Sequence, residues 1–405
     1  MTAPRPPLVL TAVAIAACLA VVACSGGGDS ASEQPAGADA TEPVAAEPSA
    51  VYPGAEWSRA DAAEMGFDPA ELDELASLAA GAGSKCLVVT RQGQIVGEWY
   101  WAGTDASSTQ EVFSVTKSYA STLVGIAQEE GLLDIDDPAS EYIDAWAGTD
   151  SAGVTVANLL SNDSGRTWDP NADYRQLPVS QDMNTFAIGL GQQAAPGTTW
   201  AYNNAAIQTL DAVLQAATGG SSATYAEDKL LGPLGMDDSH MTLDPAGNTK
   251  LFMGLQSSCE DMARFGYLFL RGGEWDGEQV VPAAWVDEAT GAPSQGINEA
   301  YGYLWWLNHR GKVLSPAGAT TADQAGGGPD TQLVPGAPED MYFALGLGNQ
   351  IIAVDPASET VVVRLGVGAP RGAAPFDPAA AARVVTEAYV GEPAGAGDTT
   401  STTDG

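Results

Sequence analysis

Apolar residues recur at helical spacing in seven stretches of the chain. Tyr119, Leu123 and Ile126 follow this spacing in the second stretch, which stops at Gly131. The pattern predicts helices at about residues 60–80, 114–131, 156–160, 205–217, 260–270, 282–289 and 379–389.

Shorter runs rich in β-branched and aromatic residues predict strands. Two lie early, at 86–90 and 95–101, and a turn at 91–94 joins them into a hairpin. Others come late, at 301–307, 342–347, 350–354 and 360–365. Strands at both ends of the chain, with helices and loops from about 134 to 290 between them, predict an α+β domain at 51–390 with one antiparallel sheet and a helical insertion.

The two ends of the chain differ from this body. Arg5 and the apolar run 8–23 predict an export signal over 1–23, and the ending Val21-Val22-Ala23-Cys24 resembles a bacterial lipoprotein cleavage site. We therefore expect a lipid on Cys24 and an extracytoplasmic, membrane-anchored protein, although an ordinary secretory signal stays open. Residues 24–50 predict a disordered tether and 391–405 a disordered tail, because neither composition supplies a core.

Charge and cysteine content narrow the function further. The net charge is −36, which disfavours binding to nucleic acid. The two histidines are scattered, so we expect no metal site and no cofactor. Cys86 and Cys259 are the two cysteines outside the predicted export signal and lipid site, and in an oxidising compartment such a pair predicts a disulfide. The alternative is that both are buried free thiols.

Ser114 and Lys117 are the first candidates for chemistry. They are three residues apart at the start of a buried helix, so the lysine can reach the serine hydroxyl. A serine needs a neighbouring base to become a nucleophile, and a lysine serves as that base when burial lowers its pKa. The alternative is a capping serine beside an exposed lysine.

Two later motifs support the chemical interpretation. Tyr202 and Asn204 follow a Pro-Gly turn just before a helix, and a phenol near an ammonium is expected to have a lowered pKa and to share protons with it. Gly346 and Leu347 lie in a glycine-rich strand end, where a backbone amide is free to join that of Ser114 in an oxyanion hole. The alternatives are a core tyrosine, a capping asparagine and a plain glycine turn.

From about residue 57 to 390 the chain resembles the serine β-lactamase and penicillin-recognising superfamily, in its branch near class C β-lactamases, esterases and nylon-oligomer hydrolases. The resemblance rests on the order and spacing of the motifs at 113–118, 159–165, 196–204, 261–266, 301–306 and 344–350. It implies a β-lactamase/transpeptidase-like fold, an α/β/α sandwich with a helical subdomain.

The resemblance also implies roles for single residues. Ser114 is the implied nucleophile, Lys117 its base partner and Tyr202 the acid/base group, while Leu347 gives its amide to the oxyanion hole. Asn204 is implied to orient the lysine, and Tyr174 to face the substrate as in the nylon-oligomer branch.

One departure from the superfamily affects the expected substrate. The cationic residue that β-lactamases and peptidases carry on the third strand is absent, because Ala344-Leu345-Gly346 stands in that register. We therefore expect a small ester or amide substrate. A D-amino-acid peptidase, a β-lactamase and a non-catalytic penicillin-binding-like sensor or scaffold remain alternatives.

Overall fold

The computed structural model describes residues 50–326 and 330–391. The predicted signal peptide, Cys24 and nearly all of the predicted tether and tail lie outside the described residues. Helices of the described part are α1 Pro69–Gly81, α2 Thr116–Glu129, α3 Val156–Leu160, α4 Met183–Gly189, α5 Asn204–Thr218, α6 Ser222–Ala226, α7 Cys259–Leu270, α8 Ala283–Thr290, α9 Ala322–Ala325 and α10 Pro378–Arg383. Single 3₁₀ or π turns occupy Phe113–Val115, Ala139–Glu141, Asp144–Trp146, Ala172–Gln176, Leu177–Val179, Glu227–Leu231 and Val384–Ala388.

A six-stranded antiparallel sheet with the order β2-β1-β15-β14-β13-β9 forms the centre of the described fold. Its strands are β1 Ser84–Arg91, β2 Gln94–Tyr100, β9 Trp306–Leu307, β13 Tyr342–Gly346, β14 Gln350–Asp355 and β15 Thr360–Gly366. The shorter strands of the described part are β3 Gln110–Glu111, β4 Thr199–Ala201, β5 His240–Met241, β6 Leu255–Ser257, β7 Glu274–Trp275, β8 Glu278–Gln279, β10 Gly311–Lys312, β11 Ala319–Thr321 and β12 Asp330–Thr331.

Helices cover the central strands. Every residue of β14 and β15 is buried, which requires packing on both faces of the sheet. Helix α7 packs on β1, β14 and β15, while α1 packs on β1 and α10 on β14. Gly266 lets α7 approach closely, since a Cβ there would lie 2.5 Å from Val361. These layers form the predicted α+β arrangement.

The sequence predicts most element positions but misplaces two. Helix α1 begins at Pro69 rather than at residue 60, because Asp68 caps it and proline at the first helical position cannot continue a preceding turn. The predicted strand at 301–307 shortens to Trp306–Leu307. The aromatic residues before it pack in the hydrophobic core instead, since Tyr301 and Trp305 are both buried.

Across the described residues, we find no helix with both the length and the apolar character needed to cross a bilayer.

A disulfide joins Cys86 in β1 to Cys259, the first residue of α7, as the sequence predicts. The two cysteines are 173 residues apart, so the bond closes a long loop that contains most of the helical insertion. It ties β1, an inner strand of the sheet, to the helix that covers it.

We expect replacement of both cysteines by alanine to lower the free energy of unfolding by about 2–5 kcal/mol, because the unfolded chain regains the entropy of the open loop. Urea unfolding of the double variant and the parent protein measures the difference. Peptide mapping of exported protein without reductant checks the bond itself, and two free thiols would contradict it.

Candidate active site

Ser114 lies in a tight turn at the entrance to α2. The turn Phe113–Val115 precedes the helix, and Phe113 has a left-handed φ of 49°. Such a conformation costs a non-glycine residue about 1–3 kcal/mol and persists only where neighbours hold it. Thr116 provides that support, since its hydroxyl donates to the Phe113 carbonyl at 2.6 Å and accepts from the Leu255 amide at 3.1 Å. The strained turn holds the Ser114 hydroxyl at the edge of a cavity.

Lys117 is buried directly beside Ser114. Its Nζ lies 2.7 Å from Ser114 Oγ and donates to the Phe252 carbonyl at 2.7 Å, while the side chain is only 1% exposed. Burial lowers the pKa of Lys117 to about 7, and the more distant charge of Asp173 acts in the opposite direction. At neutral pH a large fraction of this lysine is therefore an uncharged amine that can accept a proton.

Tyr202 completes the cluster from a different segment, between β4 and α5. Its hydroxyl interacts with the Ser114 side chain, and Lys117 Nζ lies 4.8 Å from its ring centre. Trp306 stacks on the ring at 5.8 Å. The expected lowering of the Tyr202 pKa is wrong: burial raises it. The neighbouring lysine is itself desolvated and supplies too little positive charge to reverse that effect.

Asn204 points to a carboxylate and not to the lysine. Its side-chain nitrogen donates to Asp173 Oδ2 at 2.8 Å, and the amides of Asn204 and Ala205 donate to the same carboxylate at 3.2 and 2.9 Å. The two hydrogen bonds of Lys117 go to Ser114 and Phe252 instead. The link from Asn204 to the lysine therefore runs through Asp173, whose pKa burial raises.

Leu347 lies in the turn between β13 and β14, beside the nucleophile. Gly346 permits this approach, because a Cβ there would lie 2.2 Å from the carbonyl oxygen of Val112. Both Ser114 and Leu347 line the same cavity. Their amides are thus candidates for a shared oxyanion site.

Two buried side chains hold the Leu347 turn from below. Gln350 donates to the Leu347 carbonyl at 2.9 Å. Arg364 on β15 donates to the carbonyls of Gly348 and Asn349 at 2.5 and 2.9 Å and is 1% exposed. The carbonyls of residues 347–349 are therefore held by side chains, which fixes the peptide planes that follow Leu347 and so the path of the turn.

Tyr174 stands at the mouth of this cavity. Its ring is 46% exposed, and its hydroxyl donates to the Pro316 carbonyl at 3.2 Å. Burial of part of the ring raises its pKa to about 12. The position agrees with a residue that faces the substrate.

The cavity has a volume of about 500 Å³ and a mostly apolar wall. Its lining residues are Phe113, Ser114, Asp173, Tyr174, Pro178, Tyr202, Asn204, Phe252, Met253, Trp306, Pro316, Leu345, Gly346 and Leu347. The structure thus brings Ser114, Tyr202, Asn204, Tyr174, Gly346 and Leu347 together around one space, with Lys117 behind Ser114.

The competing motif residues lie elsewhere. Ser164 lines a separate cavity. His309 bonds to the Gly291 carbonyl and His240 lies on β5. Within the described residues, no group of histidine, cysteine, aspartate and glutamate side chains is arranged to hold a metal ion.

Sequence reasoning missed four contributors to this site. Asp173, Phe252 and Arg364 act through contacts that span 31, 135 and 16 positions of the chain, whereas Gln350 contacts Leu347 only three positions away. The dipeptide Asp173-Tyr174 was a usable signal, since its second residue was already a candidate. An arginine within an otherwise apolar strand, as Arg364 is in β15, is another.

Comparison with known proteins identifies similar chains. The profile of the family described as Beta-lactamase matches residues 75–386. The 6-aminohexanoate-dimer hydrolase of Paenarthrobacter ureafaciens is 24% identical over 307 residues, which cover 69% of this chain and 71% of that protein. The esterase/beta-lactamase LipL of Mycobacterium tuberculosis is 25% identical over 152 residues, 36% of this chain and 34% of the relative.

Solved structures share the fold at low sequence identity. A beta-lactamase from Mycobacterium bovis has a TM-score of 0.56 at 20% identity, covering 78% of this chain and 98% of that one. An octameric penicillin-binding protein homologue from Pyrococcus abyssi has a TM-score of 0.58 at 18% identity, covering 78% and 76%. The predicted fold class is confirmed.

We expect Arg364→Lys to loosen the Leu347 turn, because a lysine cannot reproduce the planar fork that serves several carbonyls at once. Amides of the β13 and β14 residues that pair on either side of the turn should exchange with deuterium at least about tenfold faster, a change that corresponds to about 1.4 kcal/mol of lost local stability. Hydrogen–deuterium exchange with mass spectrometry measures this.

Arg371→Lys is the matched control, since Arg371 is exposed on a loop. Unchanged exchange in the paired residues of β13 and β14 in Arg364→Lys would contradict the assignment of Arg364 as the support of the turn.

Proposed function

The chain belongs to the beta-lactamase family, and from that premise we propose that it is a serine hydrolase that cleaves ester or amide bonds through an acyl-enzyme on Ser114. The observation that carries the proposal is the 2.7 Å contact between Ser114 Oγ and the buried Lys117 amine. A hydroxyl in contact with an uncharged amine has a base ready to take its proton. The names of two relatives, an aminohexanoate-dimer hydrolase and an esterase/beta-lactamase, support an amide or ester substrate.

The proposed acylation begins when Ser114 Oγ attacks the substrate carbonyl and its proton passes to Lys117 Nζ. The amides of Ser114 and Leu347 stabilise the oxyanion of the tetrahedral intermediate. Collapse of the intermediate breaks the bond to the leaving group, which takes a proton from Tyr202. Since burial disfavours the tyrosinate, Tyr202 regains a proton from Lys117 as it gives one away.

Water completes the cycle. It attacks the acyl carbonyl from the cavity, and its proton passes to the same Lys117–Tyr202 pair. Ser114 Oγ leaves with a proton, so the enzyme returns to its starting state. Asp173 holds Asn204 and the start of α5, and so keeps Tyr202 in register with Ser114.

We expect Ser114→Ala to abolish labelling by a fluorophosphonate probe and hydrolysis of p-nitrophenyl butanoate. Lys117→Ala should lose nearly as much activity, because groups that act as a unit do not contribute additively. Tyr202→Phe should keep the fold and slow turnover by about 10²–10⁴-fold, the usual contribution of a general acid or base.

Ser164→Ala serves as the control and should retain parent activity, since Ser164 lines a different cavity. Mass spectrometry should place the probe on Ser114. A probe found on Ser164, or full activity in Ser114→Ala, would overturn the proposal. Acylation of Ser114 without turnover would favour the sensor alternative.

The pH dependence follows from the sign of the lysine shift. Because the neutral amine is the active form, kcat/KM for a neutral ester should rise about tenfold per pH unit below about 7 and then level off. Initial rates of p-nitrophenyl butanoate hydrolysis, measured at pH values from 5 to 9, give this profile of kcat/KM. A rise that continues to pH 10 would exclude Lys117 as a base with a lowered pKa.

We also propose that the protein is anchored outside the cytoplasmic membrane through a lipid on Cys24. The motif at 21–24 supports this placement. Cys24→Ala should leave the signal uncleaved or release the protein from membranes in a fractionation assay. A processed Cys24→Ala protein that stays in the membrane fraction would contradict the anchor.

A further inference from the structure

The wall of the active-site cavity offers no cation to a substrate. Among its lining residues the only charged type is Asp173, and there is no lysine or arginine. Both Asp173 oxygens already accept hydrogen bonds from Asn204 and Ala205. Lys117 is committed to Ser114 and Phe252. A substrate carboxylate would therefore be desolvated without a partner, and a negative Asp173 would repel it.

Apolar side chains cover the space around the reacting carbonyl. Phe252, Met253, Trp306 and Leu345 supply much of this wall. Burial of a hydrocarbon chain against such a surface stabilises the complex by about 0.8 kcal/mol for each fully buried CH₂. A cavity with this wall therefore favours an uncharged, apolar group over a charged one.

The apolar surface continues outward at the cavity mouth. Leu347 and Val179 are each 73% exposed, and Tyr174 is 46% exposed. Tyr174 and Leu347 line the cavity, and Val179 directly follows Pro178, which also lines it. They are three of the eight large hydrophobic side chains that are exposed in the described part of the chain. Single exposed side chains need no explanation, but a group around one cavity marks a binding surface.

We propose that the substrate is a neutral ester or amide with a long unbranched apolar acyl chain, whose near end fills the cavity and whose far end rests on Tyr174, Val179 and Leu347. This inference depends on the proposed function, because it names the substrate class of the same site. A chain longer than the cavity leaves it past the exposed side chains and covers them.

The test compares p-nitrophenyl butanoate with p-nitrophenyl decanoate, both below the concentration at which they form micelles. The parent protein should have a kcat/KM at least about tenfold higher for decanoate, since each added CH₂ that is half covered contributes up to about twofold. Val179→Ser should lower the ratio of kcat/KM for decanoate to kcat/KM for butanoate by about threefold or more.

Val390→Ser is the matched control variant. Val390 has a similar exposed fraction of 71% and does not line the cavity, so both esters should be hydrolysed at parent rates. For charge, p-nitrophenyl hydrogen adipate is compared with p-nitrophenyl hexanoate. The anionic ester should be at least about 30-fold poorer, because an unpaired buried charge is costly.

The outcomes separate the two proposals. No hydrolysis of any ester and no adduct on Ser114 would overturn the proposed function. Hydrolysis of butanoate without a gain for decanoate, or equal losses of both esters in Val179→Ser, would overturn the long-chain substrate. Equal rates for adipate and hexanoate esters would overturn the requirement for a neutral one.

Discussion

Burial of the Lys117 amine beside Ser114 is the constraint on which the site depends. An ammonium ion loses its hydration in such a place, so the fold favours the uncharged amine and lowers its pKa to about 7. The burial is achieved by α2, in which every residue from 116 to 127 is buried. The same packing that makes α2 a core helix therefore also supplies the base.

The remaining groups are positioned around that helix by segments distant in sequence. Tyr202 lies just before α5 and Asn204 begins that helix, which packs on α2. The Leu347 turn follows the end of β13. Each of these segments is held by buried side chains. Asp173 hydrogen-bonds to the start of α5, and Arg364 and Gln350 hydrogen-bond to carbonyls of the Leu347 turn. The site thus lies where the helical part meets the sheet, and its geometry depends on the contact between the two.

Local patterns in the sequence were enough to predict most strands of the central sheet, most helices and the Ser114–Lys117 pair. These features depend on spacing within one element, which periodicity and short motifs record directly. The start of α1 and the strand at 301–307 were wrong because capping at Asp68 and tertiary packing of aromatic residues outweighed local preference.

Contacts between distant segments were not predictable in the same way. The partner of Asn204 is Asp173 and not Lys117, and the support of the turn by Arg364 joins β15 to β13 and β14. The direction of the Tyr202 pKa shift was also wrong, because it depends on how deeply the ring and the lysine are buried together. How deeply Tyr202 and Lys117 are buried depends on the packing of the whole fold, so a short sequence motif does not predict it.

The most direct measurement of the central claim is the titration of Lys117 itself. The chain contains only five lysines, at positions 85, 117, 229, 250 and 312, so ¹³C-labelled lysine gives a simple spectrum in which Lys117→Arg identifies the Lys117 signal. We predict that its Cε resonance titrates at about pH 7, well below the value of about 10.4 for a lysine in water. A Lys117 that titrates at the value for lysine in water would be an ammonium at neutral pH, and that result would contradict its role as the base for Ser114.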